Sequence, residues 1–178
     1  MGFFSRLRPS KAEPAAPVQA QDTKLVGHGV AGTNYHQKEL QAMGKINPDY
    51  ALDKRSLVKR WPDGVTVYEY TFSPKKAELV PEPENPHDPK AIKVLVDGVH
   101  VGYIKAGSCA HIHRLLRENR IQSITPQILG GKYKAVYCFD GYDRRAGRVE
   151  GYDLEKGEMT LVVRLDIVEL LPPEKSKA

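Results

Sequence analysis

Cysteine is scarce in this sequence: there are two, Cys109 and Cys138, in 178 residues. They are too few and too far apart for a zinc knuckle or a redox pair, so a reducing, cytoplasmic setting with two free thiols is expected. No apolar run approaches the roughly eighteen residues that a membrane-crossing helix needs. The opening Met1-Gly2-Phe3-Phe4-Ser5-Arg6-Leu7 lacks the apolar stretch of a secretory signal. Arg6 also stands where a myristoylation pattern requires Ser or Thr. No glycine-rich phosphate loop is present, which argues against use of ATP by this chain. Strands and helices do not alternate in the βαβ manner, which argues against a dinucleotide-binding sheet. Neither a metal nor a cofactor is called for, and no membrane partner.

Acids are sparse in one region. Residues 105–148 hold nine Lys or Arg (Lys105, Arg114, Arg117, Arg120, Lys132, Lys134, Arg144, Arg145, Arg148) against Glu118, Asp140 and Asp143, a net of +6. The whole chain is +5, so the remainder is −1. A basic region on a near-neutral body suits a polyanion partner, although a solvated surface gives the same count.

Residues 1–23 read as a disordered tail rich in Pro and Ala, residues 24–171 as a single domain, and 172–178 as a second tail. Lys24 to Val30 suits a strand whose glycines allow close backbone approach. His36 to Lys45 suits a short helix, and 46–65 an irregular excursion. Val65 to Phe72 alternates like a strand, with Tyr68, Tyr70 and Phe72 on one side as a core-facing stripe. Ala77 to Val80 reads as another strand. Ala91–Val96 and Val99–Ile104 flank Asp97-Gly98, the strongest local hairpin signal, because a type I′ turn needs positive φ at both central residues. Ser108 to Asn119 reads as a helix with Cys109, Ile112, Leu115 and Leu116 inward and His111, Arg114 and Glu118 outward. A second hairpin is expected over 121–139, turning at Gly130-Gly131. Residues 140–157 read as loop, and Met159 to Leu170 as the last strand. The sum is mainly β with two helices: a small curled antiparallel sheet or β-barrel.

The most distinctive stretch is Glu82-Pro83-Glu84-Asn85-Pro86-His87-Asp88-Pro89-Lys90-Ala91-Ile92-Lys93-Val94, continuing through the hairpin to Val101-Gly102-Tyr103-Ile104. Its prolines fix φ and push their predecessors to extended geometry, so the loop is stiff enough to hold side chains still at a sheet rim. Asn85 and Asp88 also suit turn residues that bond their own backbone.

This run resembles the signature of the HIRAN domain, a strand leading into E-P-x-N-P-x-D-x-x-A-I-x-V, a hairpin, V-G-Y and a helix. The resemblance spans 24–129, with 82–104 the specific part, and Val30-Ala31-Gly32-Thr33-Asn34-Tyr35-His36-Gln37 is similar to the family's first strand and turn. It implies an OB- or SH3-like β-barrel with flanking helices and no catalytic activity. It also implies recognition of single-stranded DNA, at its 3′ end, by base stacking and contact with the terminal hydroxyl, in the service of DNA repair or a phage process. By that resemblance Tyr35 and His87 stack on bases, Asp88 accepts from the hydroxyl and Lys105 meets a phosphate. Tyr103 and Asn34 complete the expected site. A separate helicase, nuclease or phage protein is the implied partner. The chain departs from the pattern twice. His87 stands where the family often has Tyr, and Asn34 stands where a DNA-binding member carries a basic residue. An alternative is a protein-interaction or regulatory domain without DNA binding.

Three rival constellations fit their chemistry poorly. His111 and His113 lie two apart, which on a helix points them to different faces and away from one metal ion. His87 beside Asp88 has no Ser or Cys nucleophile to activate. Glu82, Glu84 and Asp88 would have to converge across proline turns to hold Mg²⁺.

Overall fold

The computed structural model describes residues 22–138 and 151–172. The two expected tails and the loop at 139–150, with Arg144, Arg145 and Arg148, lie largely or wholly outside the described residues. Among the described residues there are nine strands: β1 (Thr23–Ala31), β2 (Lys45–Ile46), β3 (Val65–Tyr68), β4 (Tyr70–Thr71), β5 (Ala77–Pro81), β6 (Ile92–Val96), β7 (Val99–Ile104), β8 (Ile121–Cys138) and β9 (Tyr152–Leu170). The same residues form three α-helices: α1 (Gln37–Ala42), α2 (Lys54–Arg60) and α3 (Ala106–Arg117). Short 3₁₀ turns cover Thr33–His36 and Pro48–Ala51.

Seven strands form one antiparallel sheet in the order β3-β8-β9-β1-β7-β6-β5, and β2 pairs with β4. The sheet is mainly β with helices against it, as expected, but its edge strands β3 and β5 do not meet. It is open, not closed into a barrel. β1 changes partner along its length: Thr23–Gly29 pair with β9, and Val30 and Ala31 pair with Ile104 and Tyr103 of β7.

Alternation on β9 sets the inner face. Leu161, Val163, Leu165 and Ile167 are buried, and they pack with Leu40 of α1, Cys109, Ile112 and Leu115 of α3, and Ile92, Val94 and Val96 of β6. A second cluster joins Leu57 and Val58 of α2 to Val67, Val136 and Tyr152. The helix α2 is an addition to the sequence reading. Asp53 caps it by accepting from the Ser56 N–H at 2.8 Å, and its adjacent Leu57 and Val58 are its buried residues.

The Asp97-Gly98 hairpin forms as expected, with φ of 48° and 83°. The hairpin expected at Gly130-Gly131 does not. β8 runs unbroken from Ile121 to Cys138 along β9, with a register shift between Leu129 and Gly131. The two glycines, at φ 108° and 92°, form a bulge rather than a turn. β9 likewise begins at Tyr152, inside the stretch expected to be loop. The expected strand 65–72 breaks at Glu69, whose backbone N–H bonds Lys132 O and whose carbonyl accepts from Asn47.

His111 does not face away. Its Nε2 lies 2.8 Å from Oε1 of Glu169, which is 4% exposed and continues the inward row of β9. Arg114 donates to Nδ1 of the same ring at 3.0 Å. Next to them is His28 of β1, 7% exposed, its ring 6.4 Å from that of His111. Cys109 is buried, as its place on the stripe of α3 predicts, and burial pushes its thiol pKa up. Among the described residues no helix is long and apolar enough to cross a membrane.

Candidate functional site

The proline-rich loop between β5 and β6 is organised by its own backbone. Asn85 Oδ1 accepts from the His87 and Asp88 N–H groups at 3.0 and 3.3 Å. Asp88 Oδ1 accepts from the Lys90 N–H at 2.8 Å. The ends are closed by Glu82 N–H to Ala91 O and Ala91 N–H to Asp88 O, both 2.9 Å. His113 of α3 donates its Nε2–H to Lys90 O at 3.0 Å, which ties the loop to the helix. The turn roles of Asn85 and Asp88 are therefore met. Met turn bonds do not use up Asp88, because Oδ2 accepts no hydrogen bond among the described residues.

Glu82 forms an ion pair with Lys93 on β6 and accepts from Asn85 Nδ2 at 3.0 Å. The Lys93 bond, then that of Asn85, holds its carboxyl below the usual range, and Glu82 raises the Lys93 ammonium in turn. Glu82 is thus directed at Lys93. Among the described residues no three His, Cys, Asp or Glu side chains cluster as metal ligands would.

Two adjoining concavities open at this rim. One, of about 580 Å³, is lined by Glu82, Pro83, Glu84, Asn85, Pro86, His87 and Tyr103. The other, of about 230 Å³, is lined by Asn85, His87, Asp88, Ala91, Tyr103, Ile104 and Ala106. His87, Asp88 and Tyr103 thus meet at one place, where the first residue of α3 also arrives. His87 is exposed, and Asp88 and Tyr103 are half-buried.

The other expected residues sit apart. Tyr35 lies on the 3₁₀ turn after β1 and is 82% exposed. It lines neither concavity. Asn34 lines a separate polar cavity of about 610 Å³ with Gln37, Gln41, Tyr70 and Lys132. Lys105 caps the start of α3 and lies across Gly29, where an added Cβ would be 2.9 Å from its Cε.

A link that the sequence reading missed runs from Tyr35 to Tyr103. His36, the neighbour of Tyr35, faces His100 of β7 with ring centroids 4.4 Å apart. His100 meets Tyr103 edge-on at 5.1 Å and donates Nε2–H to Gly102 O at 3.2 Å. Burial, then the nearby His36 and Lys93, lower the His100 pKa. The only sequence signal for this row was the two rings at 100 and 103 flanking Gly102.

Several basic residues of this region that lie among the described residues are engaged by their own surroundings. Arg120 donates to Leu170 O and Glu118, Lys134 to Tyr50 O and Leu52 O, and Arg114 to His111. Arg114 and Arg117 lie at the far end of α3 from the concavities, about 12 Å or more along its axis.

A comparison with protein-family models matches the HIRAN domain over residues 26–126, more than half of the chain. No curated protein and no solved structure matches.

Proposed function

Because the chain belongs to the HIRAN domain family, whose members bind DNA and are not themselves catalytic, we propose that the rim formed by His87, Asp88 and Tyr103 takes the 3′ end of a single DNA strand. The observation that carries the reading is their convergence on two adjoining concavities held by a self-bonded, proline-stiffened loop. A preorganised rim loses little entropy when it binds.

Each residue has a chemical role in this proposal. Tyr103 and His87 give ring faces on which bases stack, each contributing about 1–3 kcal/mol without regard to sequence. The unbonded oxygen of Asp88 accepts from a terminal hydroxyl, while its charge repels a phosphate at the same spot. Tyr35, fully presented to solvent, stacks on a base further along the strand, and Lys105 meets a phosphate there. Asn34 faces a different cavity and has no role in this reading. The partner is a separate repair, replication or phage enzyme that acts on the held end.

The test is fluorescence anisotropy with short oligonucleotides that end in a 3′-hydroxyl or a 3′-phosphate, across a salt series. The Asp88→Asn variant keeps the turn bond to Lys90 and removes the charge. Preference for the hydroxyl end, lost in Asp88→Asn, is the expected result. Equal binding of both ends with a steep salt slope would replace the pocket with a generic basic surface. No binding at low salt would leave the protein-interaction reading.

A further inference from the structure

The face of the sheet opposite α1 and α3 carries an unusual strip. On β1, His28 and Val30 point inward and are buried, so Gly27, Gly29 and Ala31 point outward. In an antiparallel pair, opposed residues share a face. Gly27 opposes Asp166, Gly29 opposes Arg164 and Ala31 opposes Tyr103. The outward side of β1 is thus a lane almost free of side chains, beginning beside Tyr103 at the rim.

Two cations from distant parts of the chain lie down in this lane. A Cβ on Gly29 would be 2.9 Å from Lys105 Cε and 3.0 Å from its Nζ. A Cβ on Gly27 would be 2.5 Å from Arg164 Nη2 and 3.0 Å from Cζ. Both glycines have ordinary strand φ, so the space above them, not their backbone, is what a side chain would spoil. Arg164 is held by Asp166, which accepts from its Nε at 3.3 Å. Asp166 in turn accepts from Gln127 Nε2 at 2.6 Å. The Asp166 bond engages only the Nε of the guanidinium. Its two outer nitrogens make no hydrogen bond among the described residues, and the side chain is 58% exposed. Lys105 makes no ion pair among the described residues.

We propose that this lane carries the single strand leading away from the rim, with Lys105 and then Arg164 on successive phosphates. The proposal rests on the end-binding reading above. Three observations choose this occupant. The lane is continuous with Tyr103. Its seats repeat every second residue, about 7 Å, comparable to the step between phosphates of an extended strand. Its free groups are cationic, and the guanidinium edge that remains open suits a phosphate's two oxygens. From Ala31 to Gly27 the lane is about 14 Å long, room for two or three nucleotides beyond the rim. Arg164 lies outside the matched segment 26–126, so this contact belongs to a strand beyond the family match.

The experiment measures binding of the full chain to a 3′-hydroxyl dinucleotide, by competition, and to an eight-nucleotide thymidine strand across a salt series. Arg164→Gln is expected to weaken the longer strand about three- to tenfold and reduce its salt slope by about 0.7, the value for one phosphate of a single strand. Dinucleotide affinity is expected to stay unchanged. Arg164→Lys should restore most of the slope. Gly27→Val, which pushes the guanidinium off its seat, should act like Arg164→Gln. A wild-type slope and affinity in Arg164→Gln would overturn the lane. So would an equal loss for both lengths, which would move Arg164 into the rim or into stability. Loss of dinucleotide binding in Tyr103→Ala, beside an unaltered Arg164→Gln, would keep the rim and remove the lane. No binding of either length by the native chain would remove both.

Discussion

Replacing Gly102 with alanine tests how the rim is joined to the sheet. Gly102 is the middle residue of Val-Gly-Tyr and sits at φ 138°, beside the irregularity where β6 and β7 shift register. An alanine Cβ there would lie 2.2 Å from the backbone oxygen of Ala31 and 2.9 Å from Val30 Cγ1, where ordinary contact begins near 3.4 Å. Ala31 O belongs to β1, which β7 holds at this point and β9 holds as far as Gly29, so relief requires β1 and β7 to part by more than 1 Å. Backbone strain at such a φ costs about 1–3 kcal/mol. Overpacking that shifts backbone adds about 1–3 kcal/mol. A loss near 4 kcal/mol is expected, which for a chain of this size lowers Tm by about 8–16 °C. Gly98→Ala is the internal control. It sits at φ 83° with nothing within 4 Å of an added Cβ, so only strain of about 1–2 kcal/mol applies. Calorimetry or a urea series on both variants separates collision from strain. If Gly102→Ala fell within about 1 kcal/mol of Gly98→Ala, the argument that backbone contact demands glycine at 102 would be wrong.

Further outcomes follow from the same contacts. Gln37 pairs with β9 where β1 has left it, donating Nε2–H to Leu161 O at 2.9 Å and accepting from Leu161 N–H at 2.9 Å. Gln37→Leu strands both groups and is expected to cost about 1–3 kcal/mol for each in urea unfolding, whereas Gln37→Glu keeps the acceptor for Leu161 N–H and loses only the donor to Leu161 O. Burial lowers the His28 pKa below its ordinary 6.5 despite Glu169. The unfolded chain therefore binds the proton more readily. The stability from neutral His28 is complete above about pH 6.5 and is lost as pH falls through the depressed value. His28→Leu should flatten that part of the curve between pH 7.5 and 5, and an unchanged slope would assign it elsewhere. A chain ending at residue 126 lacks Leu161, Val163, Leu165 and Ile167, all at most 6% exposed. Each such loss costs about 2–5 kcal/mol against a total of about 5–15, so no cooperative unfolding transition is expected by circular dichroism.

Local signals were legible where the chain settles its own conformation. Asp97-Gly98 dictates its turn by backbone preference alone, and β7 spans the run expected to follow it. The stripe of α3 correctly placed Cys109, Ile112 and Leu115 in the core. Failures came where a distant strand decides. Gly130-Gly131 is a strong turn signal, yet β9 runs past it and holds β8 straight through a bulge. Lys156-Gly157 resembled a loop because glycine weakens a strand. Gly157 is instead a packing site, where an added Cβ would stand 2.5 Å from the hydroxyl oxygen of Tyr133. His111 looked solvent-facing by helical position, but its partner Glu169 is 58 residues away. At the rim, the turn bonds of Asn85 and Asp88 could be read locally. The row from His36 to Tyr103 and the seats of Lys105 and Arg164 could not, since each depends on which strands become neighbours.

The position of the rim follows from the pairing of β1. A strand paired along both edges for its whole length would present no gap. β1 pairs with β9 as far as Gly29, then with β7 at Val30 and Ala31, and turns away at Gly32 with φ 80°. The switch frees the edge of β9 at Leu161, which the amide of Gln37 fills, and it brings Ala31 against Tyr103. The loop bearing His87 and Asp88 reaches the same corner because β6 pairs with β7 and places Lys93 opposite Tyr103. The residues that line the rim, from the loop, β7 and the start of α3, therefore collect where the ladder is interrupted, not along a finished edge. β9 lies beyond the matched segment, yet it is the strand that β1 leaves. The corner exists in this chain because residues outside the family match complete the sheet around it.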